Sequence, residues 1–463
     1  MKQAHIFLAG FGLVILIAAG AFYYQRPRAT APAKPAPAAS APAIPEDLSR
    51  SLLEQMHDSA GNAAATASSV ASNAKLEESY KAVVILQQQI DDLKIDAAAA
   101  ERNGDKETAA QKLEVVKGEL SVLDQRLLTL QNDLASARKE RPNDSVVQWL
   151  TGELLMLVGG EPENILPYFE RAVKGGLNRS DVLIGLARVQ LEGNQFDAAY
   201  TSAAGALEMD ARNLRVWQTF GGIALANGRF QEVLSRIDTA YPGEKPASIA
   251  RLRTQAQTLQ DLWVKEEEQR RADERDGLPR VKLTIEHRGF GQGPDGRALA
   301  SEVATGRDEV EIELFRKQAP ATVANFLKLV ESGFYNGTRF HWAEAASMVV
   351  GGDPNTKNDD PADDGTGGPG YVIKDEFRLP GARLHFRGSV AMVARAANTA
   401  GSQFFIELAP HPEMNHHITV FGRVVNGQSG VDKITQGRTN MRFGRFGKAI
   451  PGDLLVNATV IRK

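Results

Sequence analysis

Four short runs of polar and aromatic residues near the C-terminal end hold the side chains whose types and spacing could do chemistry. They are Phe340-His341-Trp342, Gly351-Gly352-Asp353-Pro354, Gly401-Ser402-Gln403-Phe404-Phe405-Ile406 and Val420-Phe421-Gly422. An amide such as Gln403, placed beside two aromatic residues on a strand with one buried face, is expected to point into a groove. Alternation along that strand then places either Phe404 or Phe405 in the core, and Met348 could also be a core residue. These residues predict a noncovalent binding groove.

The order and separation of these runs resemble the cyclophilin family of peptidyl-prolyl isomerases. The resemblance extends from about Pro279 to Lys463 and includes four further motifs: Glu313-Leu314-Phe315, Thr322-Val323-Ala324-Asn325-Phe326, Gly367-Gly368-Pro369-Gly370-Tyr371 and Lys374-Asp375-Glu376-Phe377. It implies that residues 280–463 form a mainly-β closed barrel with two capping helices. Two segments alternate apolar and polar residues as half-buried strands do, at Val281–Ile285 and Val310–Leu314.

The resemblance also implies where a proline-containing peptide would bind. In cyclophilins an apolar pocket holds the proline ring, a glutamine holds the flanking peptide, and an arginine donates a hydrogen bond to the prolyl side of the bond. The implied peptide-binding groove consists of Trp342, Met348, Gln403, Phe405 and Met414. Trp342 stands directly after Phe-His, where the family has its catalytic arginine, so no catalytic residue is expected.

Other positions depart from the family pattern as well. Ser347 replaces a pocket phenylalanine, Val350 a long polar residue, Ile418 a histidine and Met414 a leucine. His416 and His417 precede Ile418, so a small slip in register would restore the histidine. Arg395 is the local candidate to replace the arginine.

Composition excludes several other kinds of site. The chain has no cysteine, which excludes disulfides, thiol catalysis and the usual structural zinc sites. The spacing of Asp359, Asp360, Asp363 and Asp364 does not match a calcium-binding loop, so a solvated loop, no metal and no cofactor are expected. The net charge of -3 gives no basic surface for nucleic acid.

The N-terminus predicts a membrane segment followed by a linker. Ile6–Tyr24 carries no charge and approaches the ~20 residues that span a bilayer, so residues 1–27 are interpreted as a signal anchor that leaves the bulk of the chain extracytoplasmic, as in a bacterial periplasm. A signal peptide cleaved after Ala21 and a buried soluble helix are the alternatives. Residues 28–74 are Ala/Pro-rich and then small and polar, which predicts a linker.

The middle of the chain predicts helices throughout. Apolar heptads in residues 75–140, interrupted at Asn103-Gly104-Asp105, predict a coiled-coil hairpin that pairs within the chain or with a second copy; two amphipathic helices lying on a neighbouring domain are the alternative. In residues 141–247 a period of 34 links Trp149, Leu183 and Trp217, which resembles tetratricopeptide repeats. Residues 248–279 predict a connecting helix whose charged part, from Lys265 to Gly277, is a solvated strut between independent domains.

This multidomain architecture leaves two functions open. The first is a membrane-anchored, extracytoplasmic protein-binding scaffold whose cyclophilin-like domain has little or no activity. The second is an active prolyl isomerase that assists folding at the membrane. The expected partners are protein or proline-containing peptide clients, with self-association through the coiled coil as a further possibility.

Overall fold

The structure, a computed structural model, describes residues 63–292, 298–358, 360, 362–434 and 452–462. These described residues divide into two compact units at the boundary between Leu186 and Ala187. The predicted anchor at Ile6–Tyr24 and the Ala/Pro-rich part of the linker lie outside the described residues. Within the described part of the chain, no helix is both long and apolar enough to cross a membrane.

The first unit begins with a helical hairpin. Helix α1 spans Ala63–Arg102 and α2 spans Lys106–Glu140, joined through Gly104 at a φ of 84°. Residues 63–74, predicted as part of the linker, therefore belong to α1. The two helices pair within the chain, since Arg126 donates a hydrogen bond to the carbonyl of Ala82 over 3.2 Å. The predicted seam residues are buried at Leu76, Val83, Ile90 and Ala97 on α1 and at Val116, Leu123, Leu130, Leu134 and Ala137 on α2. Leu113, also predicted in the seam, is 46% exposed. Self-association stays a prediction.

Three helix pairs follow the hairpin. They are α3 (Ser145–Leu157) with α4 (Pro162–Lys174), α5 (Ser180–Glu192) with α6 (Phe196–Met209), and α7 (Leu214–Ala226) with α8 (Phe230–Ala240). Trp149 and Trp217, the large residues of the predicted period, are buried. Ala172 and Ala206, where helices were expected to approach closely, are fully buried. These helices are consistent with the predicted repeats.

Helix α9 (Ala247–Asp276) contacts the β-rich part of the second unit. It ends at Gly277, whose φ of 61° suits a glycine C-cap. Glu266 and Asp273 on its charged half are only 3% exposed, because both bind the fully buried Arg383 side chain. The expectation of a solvated strut between independent domains is therefore wrong. Paired charges can hold a helix against a sheet even when the helix has no apolar face.

Among the described residues, nine strands form one curled antiparallel sheet in the order β3-β9-β1-β2-β8-β6-β7-β5-β4. The strands are β1 (Arg280–Gln292), β2 (Ala298–Leu314), β3 (Thr338–Arg339), β4 (Trp342–Glu344), β5 (Met348–Gly351), β6 (Ser389–Met392), β7 (Phe404–Glu407), β8 (Val420–Asn426) and β9 (Leu454–Ile461). Helices α10 (Pro320–Glu331) and α11 (Gln428–Asp432) complete this part of the fold. The edge strands β3 and β4 are separated by two residues in the chain, so the sheet curls back on itself. A curled antiparallel sheet in residues 280–463 agrees with the predicted mainly-β, cyclophilin-like fold.

The two faces of β7 have different roles. Phe404 packs edge-on against Phe326 and Tyr335, with ring centroids 5.6 and 5.7 Å apart, and forms part of the inner core. Phe405 points to the opposite face, because successive strand residues alternate. Both phenylalanines are buried: Phe404 packs in the inner core, and Phe405 belongs to an apolar cluster on the other face.

Candidate functional site

An apolar row crosses the outer face of the sheet. Strand register places Trp342 opposite Val350, Val350 opposite Phe405, and Phe405 opposite Ala391. Directly opposed residues share a face and lie about 4.5 to 5.5 Å apart at Cβ. Three adjacent strands therefore bring Trp342 and Phe405 to one surface, although they lie 63 positions apart in the sequence.

Three partly buried side chains, those of Val393, Met414 and Ile418, pack against this row. Met348 belongs to the same apolar cluster as Phe405 and Val350. The structure thus brings Met348, Phe405 and Met414 together, as the predicted groove requires. Ile418 takes part in the groove itself, whereas His416 and His417 are exposed. No register slip therefore brings either histidine to this position.

Gln403 uses its amide to hold the neighbouring loop. Its Nε2 donates to the carbonyl oxygens of Gly365 and Gly367, at 3.0 and 2.8 Å. The guanidinium of Arg395 also donates to the Gly365 carbonyl. Asp353 holds the same loop through the amide of Gly367 over 3.2 Å. Gln403 and Arg395 thus both fix the rim of the groove, and the Nη2 group of Arg395 is occupied there.

A polar group stands at Ser347, where the resemblance implies an aromatic wall. The Nε2 atom of His411 lies 3.3 Å from both the hydroxyl and the carbonyl oxygen of Ser347, and its Nδ1 lies 2.9 Å from Glu413. Both ring nitrogens therefore face acceptors, which favours the doubly protonated imidazolium. Burial opposes the charge, but the hydrogen bond to Glu413 and the charge of Glu407 raise the pKa of His411 overall. An imidazolium donor cannot act as a general base toward Ser347.

A second buried pair lies beside Phe405. The rings of His385 and Phe405 are stacked, with centroids 6.3 Å apart and planes inclined by 14°. His385 binds Glu407 through Nδ1, and both side chains are fully buried. Burial raises the pKa of Glu407 despite the opposing effect of His385. Glu407 lies opposite Met348 in the strand register, so this buried pair is on the same face of the sheet as Phe405 and next to the apolar row.

Trp342 is the most exposed member of the row. Its side chain is 37% exposed on β4, at the edge of the sheet, while Phe405 is 3% exposed. An indole offers one N–H donor and no charge. The five predicted site residues thus divide into an apolar set, namely Met348, Phe405 and Met414, a rim anchor at Gln403, and an exposed aromatic edge at Trp342.

Sequence reasoning missed the polar residues that support the groove. His385, Glu407 and His411 carry no motif. His385 and Glu407 lie 22 positions apart, and Ser347 lies 64 positions from His411. One sequence signal was available for Glu407, since a carboxylate in an otherwise apolar strand needs a buried partner.

Comparisons with known proteins agree on one part of the chain. A family model described as "Cyclophilin type peptidyl-prolyl cis-trans isomerase/CLD" matches residues 300–450. A peptidyl-prolyl cis-trans isomerase of Helicobacter pylori is 39% identical over 137 residues, which cover 29% of this chain and 79% of the relative. Peptidyl-prolyl cis-trans isomerase B of Bacillus subtilis is 39% identical over 130 residues, which cover 28% of this chain and 85% of the relative.

A solved structure is also similar to part of this chain. It is a Cryptosporidium parvum cyclophilin type peptidyl-prolyl cis-trans isomerase in the presence of the dipeptide Ala-Pro, and it is 24% identical, covers 39% of this chain and 99% of its own, and has a TM-score of 0.29. The sequence identity to the two bacterial isomerases, over most of their length, decides the assignment. The chain belongs to the family of cyclophilin-type peptidyl-prolyl cis-trans isomerases.

Proposed function

We propose that this chain binds proline-containing peptides in the groove formed by Trp342, Met348, Gln403, Phe405 and Met414, and turns them over slowly or not at all. The observation that carries the proposal is Trp342 itself. It occupies the exposed end of an otherwise apolar row. The groove thus keeps surfaces that suit a proline ring and offers an indole where the family has a guanidinium.

The physical reason lies in the transition state. Rotation about a peptide–proline bond faces a barrier of about 18 to 20 kcal/mol, because it breaks amide conjugation. A catalyst must therefore bind the twisted amide more tightly than the planar one. Apolar contacts with the proline ring stabilise both states alike, whereas a donor aimed at the prolyl nitrogen acts on the twisted state. Indole cannot replace that donor, since it lacks the charge and reach of a guanidinium.

The test compares binding with turnover on the intact chain. A fluorescent peptide containing one Ala-Pro step is expected to bind, as measured by anisotropy. Exchange spectroscopy on the same peptide is expected to show a cis–trans rate close to the uncatalysed one. Phe405→Ala serves as the binding control and should weaken the complex. Turnover at a rate typical of the family would overturn the proposal, as would the absence of binding.

An active isomerase is the second candidate function. Its support is the 39% identity to two bacterial isomerases. Arg395 would then have to supply the donor, after releasing the Gly365 carbonyl that it now binds. Loss of turnover in an Arg395→Ala variant would support this alternative.

We also propose that the helical part of the chain recruits protein clients and that Ile6–Tyr24 anchors the protein, with its bulk extracytoplasmic. The support is the uncharged apolar run, which ends in aromatic residues as membrane interfaces favour. The full-length protein is expected to stay in the membrane fraction after carbonate extraction, and a version that starts at residue 28 is expected to be released. Release of the full-length protein, with a new N-terminus near Phe22, would contradict the anchor.

A further inference from the structure

Asn194 has an unusual backbone conformation in the turn between α5 and α6. Its φ is 55°, in the left-handed region that non-glycine residues rarely adopt. Corresponding turns follow α3 and α7, and there the same position is Gly159 and Gly228, with φ of 75° and 73°. In all three turns this residue donates its amide to the carbonyl three positions earlier. Asparagine therefore carries a strain here that glycine avoids in the other two turns.

The side chain of Asn194 accounts for the exception. Its Oδ1 accepts a hydrogen bond from the backbone amide of Ala346 over 2.9 Å. Ala346 is itself a left-handed residue, with a φ of 55°. Such conformations are strained in residues other than glycine and persist only where surrounding contacts hold them. Two strained residues thus meet through one hydrogen bond.

The turn that contains Ala346 leads directly into the groove. Ser347 follows it, donates its amide to Glu344 over 3.0 Å, and accepts a hydrogen bond from the Leu408 amide over 2.7 Å. Met348, the next residue, belongs to the apolar cluster of the groove. A shift of the Ala346 turn therefore moves Ser347 and Met348 with it, since they are the next two residues in the chain.

A second contact from the same helical turn reaches the same place. The guanidinium of Arg387 lies 3.8 Å from the ring centroid of Phe196, two residues after Asn194. Arg387 also donates to the carbonyl of Leu408 over 2.9 Å. Leu408 is the residue whose amide holds Ser347. Both contacts between the helical turn and the sheet thus converge on the strand ends that carry the groove wall.

We propose that Asn194 is a positioning residue of the peptide groove: by holding the amide of Ala346 it sets the wall formed by Ser347 and Met348, so the groove's affinity depends on the turn between α5 and α6. This inference rests on the proposed function, because it requires the groove to bind a peptide. It makes the helices part of the binding site without any direct contact with the peptide.

Three variants of the full-length chain separate positioning from stability. Asn194→Gly keeps the left-handed backbone and removes the acceptor, and Asn194→Asp keeps an acceptor. Gly228→Asn places the same strain in a turn where an added Cβ atom would meet nothing within 4 Å. Because Asn194→Gly removes one hydrogen bond, we expect it to weaken binding of the fluorescent Ala-Pro peptide roughly three- to tenfold. The melting temperature should change little. Asn194→Asp should bind like the wild type. Gly228→Asn should lower the melting temperature and leave binding unchanged.

Hydrogen exchange distinguishes failure of this inference from failure of the proposed function. The Ala346 amide should exchange faster in Asn194→Gly than in the wild type or Asn194→Asp, and this readout needs no peptide. Faster exchange without any wild-type binding would overturn the proposed function, and with it the dependence of peptide affinity on Asn194, while leaving the structural contact in place. Unchanged exchange, or equal peptide affinity in Asn194→Gly and the wild type, would show that Asn194 does not position the groove.

Discussion

Replacing Arg383 with methionine is expected to lower the free energy of unfolding of the second unit by about 3 to 5 kcal/mol, because two buried carboxylates lose their hydrogen-bonded guanidinium. Among the described residues, Glu266 then keeps only Arg270 at 3.7 Å, and Asp273 keeps only Arg423 at 3.8 Å. Arg383 donates through Nη1 to Asp273 over 2.5 Å and through Nε to Glu266 over 3.2 Å. Its guanidinium also lies 3.7 Å from the ring centroid of Phe315. Burial opposes its charge, but these carboxylates raise the pKa of Arg383 overall, so the side chain stays ionised.

The control is the same substitution at an exposed pair. Arg253 on α9 binds Asp238 through two hydrogen bonds of 2.8 Å, with side chains 37% and 45% exposed. Solvent screens such pairs, so Arg253→Met is expected to cost less than about 1 kcal/mol. Urea denaturation measures both variants. Equal losses for the two would contradict the buried-pair argument.

Two further measurements examine how α9 is held. In Arg383→Met, trypsin is expected to cut α9 at Lys265 or Arg271 sooner than in the wild type, since the contact that orders this half of the helix is gone. Replacing Glu266 and Asp273 with leucine in the same variant should recover part of the lost stability, because the two buried carboxylates that lost Arg383 are then removed.

The second large effect concerns catalysis. Trp342→Arg together with Ser347→Phe is expected to raise kcat/KM for an Ala-Pro peptide by up to about 10² to 10³-fold, the usual effect of one preorganised transition-state donor. Trp342→Arg alone should give a smaller gain, because Ser347 stays hydrogen-bonded near His411 and the pocket lacks its aromatic wall. Exchange spectroscopy on the peptide measures all of these rates.

Matched variants define what causes the gain. Trp342→Ala opens the same space without a donor and should give no gain, and Trp342→Lys supplies charge without the planar fork and should give less than arginine. Equal rates for Trp342→Ala and Trp342→Arg would mean that this position does not supply the donor. Fast turnover by the wild type would direct attention to Arg395.

Much of the groove could be predicted from sequence, because its residues lie within short motifs on alternating strands. Trp342, Met348 and Phe405 each follow from a local pattern, and strand register brings them to one face. The burial of the charged half of α9 could not be predicted in this way. Its residues carry no apolar stripe, and the partner of Glu266 lies 117 positions away at Arg383.

The sequence by itself determined the order of the parts: a helical hairpin, helix pairs at a period of 34, and a cyclophilin-type β domain. Periodicity and motifs encode such features because they depend on residues close together in the chain. Only the tertiary structure decided that Arg383 is buried among carboxylates, that Ile418 faces the groove instead of a neighbouring histidine, and that Asn194 holds Ala346. Each of these depends on one contact between distant residues, and a single hydrogen bond or ion pair leaves no repeating pattern in the sequence.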